Sequence, residues 1–298
     1  MIKRIFPAVL VLSLISFPAY SKEATFQKRI EKEIQCPKSF LSNPPVYFYC
    51  IYRDYHNHKF DDGIEKAKRA LKEIEPLMRK NPNGTVPNAV QKKAKLRDPH
   101  VKSVASDLHM LLGMLYYKKS LNLDDSSVKK IYADFYKNLE KKGFNFFQIE
   151  ELMNLYTKKK LFPDSFSQKD TKKYKEMLSK MGVKEEDLDR LISKAQRESD
   201  RLDEERLTYL QKAVKELQEA VKVDPENALA YYQLGNLYSG SLGEDLPEAS
   251  SAAEEAYYKA ALIFKKKGDK EAYKEVIKKL ELANPNSPYL KKLKGNHA

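Results

Sequence analysis

The chain has 298 residues and a formal net charge of +13 (55 Lys and Arg against 42 Asp and Glu), with 42% hydrophobic and 33% charged residues. Its 10 glycines are under half the ~7% share usual in globular proteins, which disfavours a many-turned β-sandwich or an enzyme built on a Gly-rich phosphate loop. With 13 Phe and 19 Tyr there is core material enough to exclude a fully disordered chain.

The first segment reads as an address. Met1-Ile2-Lys3-Arg4 is basic, Ile5 to Ala19 is an apolar run with Pro7 and Pro18, and Ala19-Tyr20-Ser21 places small residues before a cut. That is the layout of a secretory signal peptide over 1–21, cleaved after Ser21. A retained anchor needs a span of ~20 apolar residues, which this run lacks. The expected location is therefore periplasmic or secreted, with a mature charge of +13 − 2 = +11. Export places Cys36 and Cys50 in an oxidising compartment, where an even count suggests a disulfide. The basic balance (pI ≈ 9.3) then points away from nucleic acid and toward an acidic protein face or an anionic envelope surface. Interleaved acids, as in Lys265-Lys266-Lys267-Gly268-Asp269-Lys270-Glu271, also suit an ordinary solvated helix surface.

Helix-start signals recur down the chain. Asn43-Pro44, Asp98-Pro99 and Ser287-Pro288 each put a capping side chain before a proline, and Asp245-Leu246-Pro247-Glu248 resembles a capping box. Between them the apolar spacing is three and four, most clearly at Leu207, Leu210, Val214, Leu217 and Val221. The predicted helices are 24–34, 44–57, 61–79, 99–120, 125–142, 146–158, 167–181, 185–222, 228–239, 246–267 and 270–283, with a short one near 288–294. The 185–222 segment reads equally as two helices, because Gln196 to Asp203 offers only Leu202 to a core. No stretch alternates with period two. Loops at 80–98 and 159–167 divide the chain into an N-terminal helical region (22–120), a Lys-rich helical middle (121–204) and a C-terminal helical region (205–298).

The C-terminal region carries a pattern. Ala213 and Ala220 are small, Asp224-Pro225 ends a helix, and Tyr231, Leu234, Gly235 and Tyr238 follow in an aromatic, Leu-Gly, Tyr order. Residues 205–287 closely resemble tetratricopeptide repeats, with Tyr231 in place of the usual Trp. A weaker second match runs through Tyr257, Ala260, Ala261, Phe264, Ile277 and Leu280. Only 26 residues separate Gly235 from Ala261, however, against ~34 in the family, so 246–267 also reads as the second helix of the repeat starting at Ala228. Degenerate matches lie upstream at Tyr47 to Leu71 and His109 to Tyr116. The resemblance implies an all-α solenoid of antiparallel helical hairpins. It also implies a concave groove faced by Leu229, Tyr232 and Asn236 and, on the second match, by Tyr258, Leu262, Lys265 and Lys266. Tyr232 and Asn236 are expected to face solvent there, and Leu234 and Gly235 to be structural.

Chemistry is hard to find in the chain. His56-Asn57-His58 with Asp54, Asp61 and Asp62 is the one metal-like cluster, and histidines two apart on a helix point ~200° apart, so a solvated turn is the expected reading. No zinc, phosphate-loop or nucleophile-elbow motif occurs, and no catalytic residue, metal or cofactor is expected. Asn83-Gly84-Thr85 is a glycosylation sequon. The expected function is a non-enzymatic scaffold or adaptor that holds a protein or peptide partner, for which an acidic-hydrophobic segment suits a groove edged by Lys. The competing reading is a cell-wall hydrolase using carboxylates, with the repeats as support.

Overall fold

The computed structural model describes residues 35–90, 95–240 and 248–295. The expected signal peptide at 1–21, the helix at 24–34 and the cap at Asp245 lie outside the described residues. Within them the order is α1 (Pro44–His56), α2 (Phe60–Lys80), α3 (Val101–Leu121), α4 (Ser126–Glu140), α5 (Phe146–Leu161), a 3-10 turn (Pro163–Ser165), α6 (Gln168–Met181), α7 (Glu185–Val223), α8 (Ala228–Ser239), α9 (Ala249–Lys266), α10 (Lys270–Ala283) and α11 (Pro288–Gly295). The described residues form no strand, only bridges between Thr85 and His100 and between Val90 and Lys95. None of their helices is long and apolar enough to cross a membrane.

Caps set the helix starts. Asn43 Oδ1 accepts from the Val46 amide, and Asn227 Oδ1 accepts from the Ala230 amide at 3.1 Å. Asp98 instead accepts from His100 N at 3.0 Å, so α3 begins at Val101, two residues later than predicted. Cys36 and Cys50 are disulfide-bonded, which ties the leading segment to the fully buried side of α1. Glu73 of α2 holds the same segment. It accepts from the Ser39 hydroxyl at 2.6 Å and from the Phe40 and Leu41 amides, both at 3.1 Å. Burial opposes charge on this carboxyl, but those hydrogen bonds win and lower its pKa.

The chain divides into two compact units. One runs to Leu121 and resumes at Thr208, and the other is residues 122–207. The flanking helical regions at 22–120 and 205–298 are thus parts of one unit, into which the Lys-rich middle is inserted. The insertion falls inside a hairpin. The end of α7 packs antiparallel on α3: Ser103 Oγ donates to Asp224 Oδ2 (3.0 Å), Ser106 Oγ donates to the Ala220 carbonyl (2.7 Å), and Tyr116 stacks on Tyr209 at 6.2 Å. Gly113 of α3 and Gly235 of α8 both mark close helix crossings. A Cβ on Gly113 would lie 2.8 Å from Leu217 Cγ, and one on Gly235 would lie 2.5 Å from the Tyr257 ring. The two glycines are 122 positions apart, and subtracting the 86 inserted residues (122–207) leaves 36, close to the ~34 of one repeat.

The repeat unit is an all-α solenoid of stacked hairpins: α1 with α2, α3 with the end of α7, α8 with α9, and α10 with α11. In the third pair Lys266 Nζ lies 3.0 Å from Glu226 Oε1 at one end, and Tyr257 reaches Ser239 at 2.9 Å at the other. Residues 249–266 are therefore the second helix of the repeat that starts at Ala228, and α10 opens the next repeat. A continuous apolar core runs from Phe40 and Tyr47 through Leu108, Leu112 and Leu115 to Leu217, Leu234 and Leu237, and a second cluster gathers around Tyr257, Phe264, Leu280 and Leu290.

The inserted unit has its own core, with Ile149, Leu152, Tyr174 and Leu188 at its centre. Capping boxes start α5 (Asn145 with Gln148) and α6 (Ser167 with Asp170). Helix α7 is continuous from Glu185 to Val223, where the sequence also allowed two helices. The core-poor stretch stays helical because Arg201 pairs with Glu198 and Glu205, and Arg206 with Asp203, at helical spacing.

Candidate partner groove

Within the repeat unit the first helices of the hairpins border a cleft of about 560 Å³. Helix α8 contributes Tyr232, Gln233, Asn236 and Ser239, a stripe at helical spacing beside the buried Leu234 and Leu237. Helix α10 contributes Glu275, Lys279 and Leu282, and α3 contributes Met114, Tyr117 and Lys118. Tyr55 of α1 and Tyr257 of α9 complete the wall.

The polar floor is organised by Tyr257. Its hydroxyl donates to Asn236 Oδ1 at 3.0 Å and meets Ser239 Oγ at 2.9 Å. Burial pushes the Tyr257 hydroxyl up to about 12, so it remains a neutral donor at physiological pH. Burial also raises Tyr232, joined by the negative charge of Glu275 and opposed by a hydrogen bond from Asn236. Two lysines and one glutamate edge the cleft, and Leu282 stands 72% exposed at its wall. The cleft therefore offers amide and hydroxyl hydrogen-bonding groups, an apolar ledge and a positive balance, chemistry suited to a peptide backbone with an apolar and an acidic side chain.

The residues expected in the groove separate into two groups. Tyr232 and Asn236 line the cleft, but Tyr232 is only 6% exposed and packs against the Tyr257 ring at 6.1 Å, so it is wall rather than a free aromatic. Leu229 is part-buried between the two apolar clusters. Tyr258, Leu262, Lys265 and Lys266 are on α9, a second helix, and do not line the cleft. Tyr258 packs on Tyr289 at 4.8 Å, Leu262 is exposed, and Lys266 pairs with Glu226. Their place in the groove rests on the weaker second match, which takes α9 as a first helix; the alternative, α9 as the second helix of the repeat starting at Ala228 after an insertion beyond Ser239, is the one the packing matches. Helix α10 takes that position instead.

A polar knot behind the groove escaped sequence reasoning. Asn227 Nδ2 donates to Ser106 Oγ at 2.8 Å and to Asp107 Oδ1 at 3.0 Å, and His109 Nδ1 meets Glu216 Oε2 at 2.7 Å. These contacts join α3 to the end of α7 and to the α7–α8 turn. The Asp107 carboxyl is desolvated, which raises its pKa to about 7. The Asn227 hydrogen bond and Arg97 oppose the rise, and the charges of Asp224 and Asp98 add to it. Tyr52, buried beside it, has a hydroxyl with no hydrogen-bond partner. The signal was present in Ser103, Ser106 and Asp107, a polar strip on an otherwise apolar helix. His56 and His58 sit at the α1–α2 turn, and no group of three or more His, Cys, Asp or Glu among the described residues is arranged to hold a metal.

A stacked-hairpin solenoid with a groove along its first helices defines a class of protein, the helical-repeat scaffold. Residues 210–240, from the end of α7 through α8, match the family model described as TPR repeat. No curated protein matches the chain. TPR repeats generally mediate contacts between proteins.

Proposed function

We propose that the protein is an exported, non-enzymatic adaptor that holds a peptide segment of a partner protein in the cleft bordered by α3, α8 and α10. The observation that carries this reading is the composition of the cleft: amide and hydroxyl groups from Gln233, Asn236 and Tyr257, with exposed Leu282 and the lysines Lys118 and Lys279. An acidic-hydrophobic segment complements that surface, because an apolar side chain covers Leu282 while a carboxylate meets the lysines. The signal-peptide pattern at 1–21 and the disulfide support export, to the periplasm or outside the cell. The carboxylate-hydrolase reading draws no support from the cleft, whose lining holds one acid, Glu275.

The test is a capture experiment with the mature chain on source-envelope extract, repeated with Leu282→Ser and Lys279→Glu. Both side chains sit at the cleft edge, so the thermal midpoint should hold in both variants. A captured protein that binds wild type and is lost from both variants supports the groove. Equal capture by all three chains places the partner elsewhere.

A further inference from the structure

The inserted unit presents a surface unlike the groove. At the turn between α4 and α5, Phe146 and Phe147 occupy the first two positions of α5 and are 52% and 81% exposed. Their rings meet edge to face at 5.9 Å, and Phe146 leans on Tyr136 at 5.8 Å. A hollow of about 620 Å³ lined by Tyr132, Tyr136 and Phe146 continues the aromatic strip along α4. Single exposed apolar residues need no explanation, whereas a contiguous aromatic patch marks a surface that something else covers.

The charges around it say what. Lys137, Lys141 and Lys142 are exposed in the same stretch; Glu140 is the one acid between residues 137 and 149, and Glu140 and Glu150 line the hollow with Lys137, Glu150 accepting from the Tyr136 hydroxyl. Lys142 Nζ donates to the Met181 carbonyl at 3.3 Å, which brings the basic end of α6, with exposed Lys180, beside this turn. The backbone of the tip is already closed. Asn145 Oδ1 accepts from Gln148 N and Gln148 Oε1 accepts from Asn145 N, both at 3.0 Å, so moving the turn into a less polar layer leaves those groups paired. Residues 122–207 as a whole are nearly neutral (19 Lys and Arg against 18 Asp and Glu), so the basic character is local to this turn, where rings that project beside lysines suit the boundary between headgroups and acyl chains.

We propose that the α4–α5 turn is a peripheral membrane contact, in which Phe146 and Phe147 enter the interface of an anionic bilayer and Lys137, Lys141 and Lys142 meet its headgroups. The site lies in a different unit from the groove and does not depend on what the groove holds. Each lysine near a negatively charged surface strengthens binding severalfold, so three of them favour anionic over neutral vesicles by on the order of tenfold to a hundredfold.

The chain has no Trp, so full-length Phe147→Trp carries a single indole at the proposed point of entry. With vesicles of equal parts phosphatidylcholine and phosphatidylglycerol, its emission should move to the blue and be quenched by brominated acyl chains, and with pure phosphatidylcholine it should stay unchanged. The exposed double variant Phe146→Ser/Phe147→Ser, checked for an unchanged thermal midpoint, should lose co-sedimentation with the anionic vesicles. Lys141→Glu/Lys142→Glu should weaken it by more than about thirtyfold. An indole unmoved by anionic vesicles overturns the proposal. So does co-sedimentation that survives the double serine variant, which would put membrane contact on other basic surface. An indole shift produced by a captured protein but not by vesicles would make the patch a protein-docking site and equally defeat it.

Discussion

Gly235 and Tyr232 both meet the Tyr257 ring from α8, and that ring decides what each of them tolerates. A side chain at 235 would start 2.5 Å from that fully buried ring, which has no room to retreat. Gly235→Ala should therefore destabilise the fold by about 1–3 kcal/mol, read as a lower midpoint in urea unfolding. Tyr232→Ala should cost about 3 kcal/mol, because it empties a packed aromatic site. The sequence suggested the opposite for Tyr232, a binding residue with little effect on stability; a Tyr232→Ala chain with an unchanged midpoint would restore that view. Asp107 gives a residue-scale pH effect. Its folded pKa of about 7 lies above the 3.8 of an unperturbed Asp. Below pH 3.8 the folded and unfolded chains both hold the proton. Between 3.8 and 7 only the folded chain keeps it, so stability falls as pH rises, at up to about 1.4 kcal/mol per unit. The contribution is fully present below 3.8 and lost above 7. Asp107→Asn retains an oxygen for Asn227 and removes the titration. Urea midpoints should show it more stable than wild type at pH 8 and equal near pH 4, whereas parallel profiles would mean that Asp107 titrates normally.

Elements were legible wherever local chemistry decides them. Helix α8 could be read from Asn227, the Leu234-Gly235 pair and the three-four spacing, and it ends at Ser239, as those signals require. The Cys36–Cys50 bond was legible from an even cysteine count in a chain whose start reads as a signal peptide. Closing a loop of about fourteen residues limits the unfolded state, so Cys36→Ser/Cys50→Ser should lose roughly 3 kcal/mol. Reductant should lower the wild-type midpoint to that of the variant. Intact mass should show two hydrogens fewer than the fully reduced chain. The pairing of elements was less legible. Tyr257, Ala260, Ala261 and Phe264 are apolar at helical spacing whether α9 is a first or a second helix. What fixes its role is the long connection from Ser239 to Ala249 and the contact of Lys266 with Glu226 at the far end. Neither is encoded in the spacing of one helix, which is why the second match expects Tyr258, Leu262, Lys265 and Lys266 in the groove while α9 carries them outside the cleft lining.

At the scale of the molecule, the repeat period is hidden by where the insert sits. His109 to Tyr116 and Tyr231 to Tyr238 carry the same Leu-Gly and Tyr spacing, but 86 residues of separate fold lie inside the hairpin that follows the first of them. A helical insert keeps the same three-four periodicity as its host, so although the Lys-rich middle at 121–204 stands apart in the sequence, nothing in composition announces that the regions on either side of it form one unit. The packing does, because residues rising along α3 meet residues falling along α7: Ser103 with Asp224, Ser106 with Ala220, Gly113 with Leu217 and Tyr116 with Tyr209. Continued by one turn, that pairing brings the end of α3 beside the start of the α7 segment of the repeat unit, and a hairpin needs only a short loop to join them. The core of that unit draws on Leu108, Leu112, Leu115, Leu210, Leu217 and Leu234 and on no residue between 122 and 207. Replacing 122–207 by a short Gly-Ser loop should therefore leave a chain that is helical, monodisperse and cooperative in thermal unfolding. Its midpoint should still fall on Gly235→Ala, and it should still capture whatever the cleft of the intact protein holds. A molten or insoluble product would mean that the inserted unit is needed to complete the repeat fold, and the second hairpin would then have to be redrawn with the insert as part of it.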